Sequence, residues 1–290
     1  MSELFKSDEA RERVRRWHHV FRESLGVTAT AREVETSFGT THLLVAGPPD
    51  GPPLITLHGA MASSSHLLRE LEGLTTTFRV YALDVIGQSA MSADVRLDVG
   101  TDAYERWLGE VMDRLDLPAA RVLGVSWGGF VAQRFAAFAP QRVTHLALLV
   151  PAGMVTGSWW DGVTRMGVPM SLYLLSPTEK RLHAFVRNLL TTMDPQWVGS
   201  LADSFTAYAM GRMKVPKLSR DGEFAALKAP VLVIGAEHDV SFPGEKVVAR
   251  AKALFPTLAG TEVIADAQHS PPTTPEFRAW LAERLSRFFG

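Results

Sequence analysis

The chain has 290 residues, 46% of them hydrophobic and 21% charged, a balance that suits one large α/β unit with a sizeable core. Its 30 basic and 31 acidic side chains leave a formal charge of -1, so no basic face for a nucleic-acid partner is expected. Cysteine is absent, which excludes disulfides, thiolate metal ligands and a cysteine nucleophile together.

The first residues, MSELFKSDEARERVRRW, hold no apolar stretch of signal-peptide length. The longest apolar run, Leu146 to Val155, is far short of a membrane span and contains Pro151. A cytoplasmic protein without stable membrane insertion is the expectation. Between about Asp8 and Leu25, Val14, Trp17, Phe21 and Leu25 recur at helical spacing with arginines between them. That stripe predicts a helix laid against the domain, with a helix lying on a membrane as the competing reading.

Two strands, 32–38 and 41–45, then predict a hairpin turning at Gly39, followed by a Pro/Gly-rich turn at 47–53. The strand Leu54–Leu57 ends at His58-Gly59, and strands follow at 79–83, 121–125, 143–150, 231–235 and 261–264. Helical patterns occupy about 66–77, 101–115, 127–139, 245–255 and 276–288. Thr101 or Asp102 is placed to cap the second of these, with Glu105 positioned for the reciprocal bond. Alternating strands and helices predict a mostly parallel sheet covered on both faces.

The alternation breaks between Ala152 and Leu227, in a stretch with prolines at 169, 177, 195 and 216 and six of the ten methionines. It is too long for an ordinary connection. We therefore divide the chain into a core, 1–151 with 228–290, and a helical lid inserted at 152–227. The lid's methionines and Trp159, Trp160 and Trp197 fit either an apolar pocket roof or the insert's own small core.

The most informative segment is Arg121-Val-Leu-Gly-Val-Ser-Trp-Gly-Gly-Phe130, in which Ser126 stands between a strand and a helix. Gly124 and Gly128 lie two residues to either side, where a sharp turn brings backbone into near contact. Such a turn lifts the serine hydroxyl above the strand ends and aims free helix amides at whatever binds it. A serine needs an adjacent base, and histidine suits the task at neutral pH. Of nine histidines, His269 sits in a loop after the last strand, braced by Pro271 and Pro272. His18, His19, His42, His66 and His145 fall in helices or strands and His183 in the insert, while His58 reads as a loop brace and His238 as a structural residue or hydrogen-bond partner. Asp239, after the strand 231–235, is placed to orient the base, with Glu237 and Asp266 as rivals. The amides of Trp127 and Ala60 are the expected oxyanion donors, Ala60 being preferred over Met61. Met61, Trp159 and Trp160 are pocket candidates, and the Trp127 ring either lines the pocket or is buried between helix and sheet.

With these residues in place the chain resembles the α/β-hydrolase superfamily, in particular its lid-bearing carboxylesterase-like members. The resemblance rests on the His58-Gly59 turn, the loop Asp84-Val-Ile-Gly-Gln-Ser89, the Gly124-Val-Ser-Trp-Gly128 elbow, Asp239 and His269. It implies an eight-stranded α/β sheet with a helical lid after the sixth strand. Many relatives carry a second glycine in the Asp84 loop, where this chain has Gln88 followed directly by Ser89. A serine at the elbow speaks against haloalkane dehalogenase or epoxide hydrolase chemistry, which uses aspartate there.

The expected activity is serine-dependent hydrolysis of small or medium hydrophobic esters through an acyl-enzyme. Lactonase, thioesterase, amidase, carbon–carbon bond hydrolase and perhydrolase reactions use the same machinery, and a non-catalytic small-molecule receptor is the alternative of another class. Neither a phosphate loop, a dinucleotide fingerprint nor an H-E-x-x-H zinc motif is present, so no metal and no organic cofactor are expected. A homodimer is compatible with the sequence.

Overall fold

The computed structural model describes residues 3–212 and 214–290, leaving Met213, one of the insert's methionines, outside the described residues. Helix α1 (Asp8–Glu23) opens on Ser7, whose hydroxyl accepts the Ala10 amide at 3.2 Å and satisfies one orphan donor of the first turn. Strands β1 (Ala29–Thr36) and β2 (Gly39–Ala46) form the predicted hairpin. Thr36 pairs with Gly39, so the turn residues are Ser37 and Phe38 and Gly39 already belongs to the strand.

The core then alternates β3 (Pro53–Leu57), α2 (Ser64–Glu70), β4 (Arg79–Leu83), α3 (Ala103–Arg114), β5 (Ala120–Val125), α4 (Trp127–Phe138) and β6 (Val143–Leu149). The insert carries α5 (Trp159–Asp161), which runs through a π turn (Gly162–Gly167) into α6 (Val168–Leu175), then α7 (Glu179–Val186) and α8 (Pro195–Ala207). The core resumes with β7 (Val231–Ala236), α9 (Gly244–Leu254), β8 (Leu258–Ile264) and α10 (Pro275–Phe289).

The eight strands form one sheet in the order β1-β2-β4-β3-β5-β6-β7-β8. Pairing is antiparallel only on either side of β2 and parallel from β4 to β8. The interior strands lack polar alternation because successive side chains enter two different cores. Ile55, Val122 and Val233 pack with Trp107, Phe135 and Val247 of α3, α4 and α9. Leu54, Leu123 and Leu232 pack on the opposite face with Leu68, Leu281 and Leu285 of α2 and α10. Each such buried aliphatic side chain contributes about 1.5–3 kcal/mol of transfer free energy. All parallel strands therefore end at one edge, where the loops after β3, β5, β7 and β8 converge.

Two local expectations are corrected. The helix expected at 66–77 is α2 followed by a 3₁₀ turn at Glu72–Thr76. The capping box before α3 does not form, since Asp102 makes no side-chain cap bond. Glu105 is instead buried and accepts Arg134 Nε at 2.7 Å, the stronger option for a carboxylate that has lost water.

Helix α1 lies on the protein: Val14, His18 and Phe21 are buried, and Trp17 Nε1 donates to Asp203 of α8 at 2.7 Å. Among the described residues no helix is long and apolar enough to cross a membrane.

Candidate active site

Ser126 is the single residue between β5 and α4, and its backbone sits at φ 51, ψ -113. A non-glycine residue reaches that region only when its surroundings over-determine it. They do so here. Ser126 N donates to Leu149 O at 3.0 Å, and Ser126 O accepts both Phe130 N at 3.2 Å and Ala152 N at 3.0 Å. A Cβ on Gly124 would stand 2.4 Å from Gly128 O, and one on Gly128 would stand 2.1 Å from Leu57 O. The glycines are thus required by the packing of β3, β5 and α4 against one another.

The hydroxyl so presented meets His269. Ser126 Oγ lies 2.9 Å from His269 Nε2, and His269 Nδ1 lies 2.7 Å from Asp239 Oδ2. A carboxylate only accepts, so Nδ1 carries the proton and Nε2 is free to accept from the serine. The other oxygen, Asp239 Oδ1, accepts the amides of Ser241 at 2.8 Å and Phe242 at 3.0 Å, which fixes the carboxylate plane. Burial alone would push the Asp239 carboxyl up, but His269 and these amides together hold it below its ordinary value. Burial likewise opposes a charged imidazole, yet the Asp239 charge and hydrogen bond lift His269 above its ordinary value.

The rivals for Asp239 lie elsewhere. Glu237, His238 and Asp266 form an exposed cluster, in which Asp266 N donates to Glu237 Oε2 at 2.9 Å and His238 Nε2 stands 3.7 Å from Asp266 Oδ1. His58 is buried, donates from Nδ1 to Gly59 O at 2.7 Å and accepts Val85 N on Nε2 at 2.9 Å. Both ring nitrogens are used and burial holds its pKa down, so it ties the β3 loop to the β4 loop.

The Trp127 amide begins α4 directly after Ser126, where no intrahelical acceptor exists. Gly59 lies against the serine, since a Cβ there would stand 3.3 Å from Ser126 Cβ. Ala60 and Met61 therefore continue a loop packed beside the hydroxyl, and Met61 is held at φ 59. The Trp127 ring is buried beside Tyr104 and Phe130, the second of the two placements open to it, while the residue itself borders the cavity next to Ser126.

Ser126 and His269 border a cavity of about 330 Å³. The insert supplies Leu189, Leu190, Trp197, Leu201 and Phe205 to its wall, and the core supplies Met61, Phe242 and Leu281. Trp159 and Trp160 are not among the lining residues; they sit on α5 with 76% and 65% of their surface exposed. Met166, Met170 and Met210 pack in the insert's own core around Tyr173, Phe185 and Val198, and the wall residues Leu189, Leu190, Trp197, Leu201 and Phe205 belong to that same cluster, so one set of side chains serves both core and roof.

Three features escaped sequence reasoning. The first is a clamp on the histidine loop: Thr191 Oγ1 accepts Gln268 N at 2.8 Å and donates to Ser270 O at 2.7 Å, while Ser270 N donates to Leu189 O at 2.7 Å. The second is the support of the departed loop after β4. Asp84 is buried and accepts Ser64 N at 2.9 Å, Ser89 Oγ at 2.6 Å and His42 Nδ1 at 2.7 Å, so Ser89 keeps a role although the loop lacks the second glycine. The third is a charged pair in the cavity wall, Glu70 with Arg278. Only Asp84 and Ser89 of these carried a local signal, because the other bonds join residues far apart in sequence.

A doubly covered, mostly parallel sheet with a serine elbow, a histidine loop and an inserted helical region defines the α/β hydrolase class. The family model for the alpha/beta hydrolase fold matches residues 52–272, and the chain belongs to that family. An uncharacterized carboxylesterase, nap, of Bacillus subtilis (strain 168) is 29% identical over 286 residues, covering 94% of this chain and 92% of its own. Carboxylesterase YbfK of the same organism is 26% identical over 266 residues, covering 88% and 87%. The crystal structure of naproxen esterase (carboxylesterase NP) from Bacillus subtilis superposes with a TM-score of 0.83 at 26% identity, covering 98% of this chain and all of that one.

Proposed function

We propose that this protein is a carboxylesterase in which Ser126 is the nucleophile, His269 the general base and Asp239 the residue that orients the histidine. The observation that carries this reading is the unbroken relay from Ser126 Oγ through His269 to Asp239, 2.9 and 2.7 Å, on the border of an apolar cavity. Full-length similarity to bacterial carboxylesterases supports an ester as the substrate.

In this mechanism Ser126 Oγ attacks the ester carbonyl as its proton passes to His269 Nε2. The tetrahedral oxygen takes hydrogen bonds from the amides of Trp127 and Ala60, a stabilisation worth about 3–4 kcal/mol per donor in comparable sites. Collapse expels the alcohol, protonated by His269, and leaves an acyl-serine. Water deprotonated by His269 then releases the acid and restores the hydroxyl. None of these steps calls for a metal or an organic cofactor.

The lining residues favour a small or medium hydrophobic ester, with 152–227 acting as the roof over it. A fluorophosphonate probe tests the chemistry: stoichiometric modification mapping to Ser126, lost in Ser126→Ala together with p-nitrophenyl ester turnover, is the expected result. Labelling at another residue, or turnover that survives Ser126→Ala, overturns the assignment.

A further inference from the structure

The cavity wall is apolar except near the reacting groups and at one further place, where α2 ends beside the first turn of α10. There Arg278 Nε donates to Glu70 Oε2 at 2.7 Å and Arg278 Nη2 to Glu70 Oε1 at 3.1 Å, a two-pronged bond. Trp197 Nε1 also donates to Glu70 Oε1 at 3.1 Å. All three residues line the cavity that Ser126 borders. The two charged side chains are about three-quarters or more buried, with 26% exposure for Arg278 and 16% for Glu70. None of the three bonds to Ser126, His269 or Asp239 among the described residues.

Glu70 accepts three hydrogen bonds in this arrangement, and Arg278 keeps donors to spare. A guanidinium has five N–H donors, two of which go to Glu70, and Arg278 Nη1 has no protein partner among the described residues. The pair is electrically neutral as a unit and rigid by its geometry, so its remaining donors are held in place without an uncompensated charge in the wall. A ligand carboxylate brought there would sit beside Glu70 in an apolar enclosure, which repulsion and desolvation both disfavour. A neutral oxygen meets neither penalty and accepts a charge-assisted bond.

We propose that Arg278, held by Glu70 and Trp197, is a specificity-determining residue that recognises a neutral oxygen acceptor, an ether or carbonyl, carried by the substrate apart from its scissile ester. This deepens the esterase reading and rests on it for the name of the substrate, while the binding it asserts is measurable without turnover.

The test uses ethyl octanoate and a series of isosteric ethyl esters in which one chain methylene after another is replaced by oxygen. Their affinities are measured calorimetrically on the Ser126→Ala protein, with and without Glu70→Gln and Arg278→Met together. The double substitution removes both charges at once, so no unpaired ion is left to unfold the protein. For at least one oxygen position, the oxa-to-alkyl affinity ratio is expected to fall about tenfold when the pair is removed. An unchanged ratio at every position overturns the proposal, as does a preference for the monoester of a dicarboxylic acid that disappears with Arg278. Turnover by the protein with Ser126 intact separates the two readings: retained oxa preference in binding with no hydrolysis of any ester sinks the esterase and leaves the Arg278 site standing.

Discussion

The elbow at Ser126 and the outer helices of the insert are constrained in opposite ways. At the elbow, backbone meets backbone: both peptide groups of Ser126 are hydrogen-bonded and the flanking glycines leave no room for a methyl group. From Trp159 to Leu175 the chain instead exposes large apolar side chains, with Leu175 at 81%, and runs through a π turn. The inner half of the same insert resembles the elbow more than it resembles its own outer half. Helix α8 is bolted to α2 by Arg69, which bonds Gln196 and Asp194 at 2.7 and 2.8 Å, and residues 189–192 grip the His269 loop. The proposed reacting groups therefore sit on parts that cannot relax independently, whereas the outer helices carry the large exposed apolar side chains.

The largest test of this division is Asp239→Asn. It leaves the fold's packing in place but removes the charge that keeps His269 in the productive tautomer, so kcat is expected to fall on the order of 10⁴-fold. The pH profile reads the cause directly. In the proposed mechanism neutral His269 is the base, and Asp239 raises its pKa, so kcat/KM should climb with pH through a midpoint above the usual histidine value. In Asp239→Asn residual activity that midpoint should move down. A midpoint that stays put means another group governs the limb.

Gly128→Ala comes next. Its methyl group would meet the Leu57 carbonyl at 2.1 Å, and because that atom belongs to β3 the strain has no flexible side chain to absorb it. About 3 kcal/mol or more of stability should be lost, read as a lower melting temperature, together with most of the activity. A melting temperature within error of the parent protein would mean that the elbow is looser than its contacts indicate.

The same contrast explains what was legible beforehand. Strands such as Arg79–Leu83 stand where the apolar runs placed them, and the elbow announced itself because two glycines, a serine and a strand-to-helix transition lie within one short segment. Glu105 misled because a local capping pattern lost to a partner, Arg134, 29 residues away. The tryptophans of α5 misled for a related reason: hydrophobicity predicts burial in general without saying which apolar residue finds a partner. Thr191 was silent, since the loop it holds lies 79 residues further on. Geometry encoded in one turn was readable, and geometry set by a contact between distant segments was not.

Thr191→Val probes that silent clamp. Valine keeps the shape and loses both side-chain hydrogen bonds to the His269 loop while the backbone bonds remain, so histidine placement should loosen while the cavity stays intact. kcat is expected to drop about thirtyfold with KM nearly unchanged, since the two lost bonds are together worth about 2 kcal/mol. Thr191→Ser should restore most of the rate, an outcome that a purely structural role for the side chain would also have to explain through KM or stability. If Thr191→Val instead raises KM alone, the segment belongs to the cavity wall and not to the histidine's support.

The smallest expected effect belongs to Trp159→Ser combined with Trp160→Ser. These rings are the most conspicuous apolar groups of the insert, and a roof built from them would make KM for hydrophobic esters rise severalfold on their removal. Their exposure of 76% and 65% argues the reverse. Little buried area is lost, so stability should change by no more than about 0.5 kcal/mol. The cavity wall is made by Trp197, Leu201 and Phe205 of α8, which the substitutions do not touch. kcat/KM for p-nitrophenyl acetate and octanoate should both stay within about twofold of the parent, because no contact of the reacting groups changes. A selective loss on octanoate would show that α5 folds inward when a long chain binds, and the sharp division between a fixed inner half and an idle outer half would have to be redrawn.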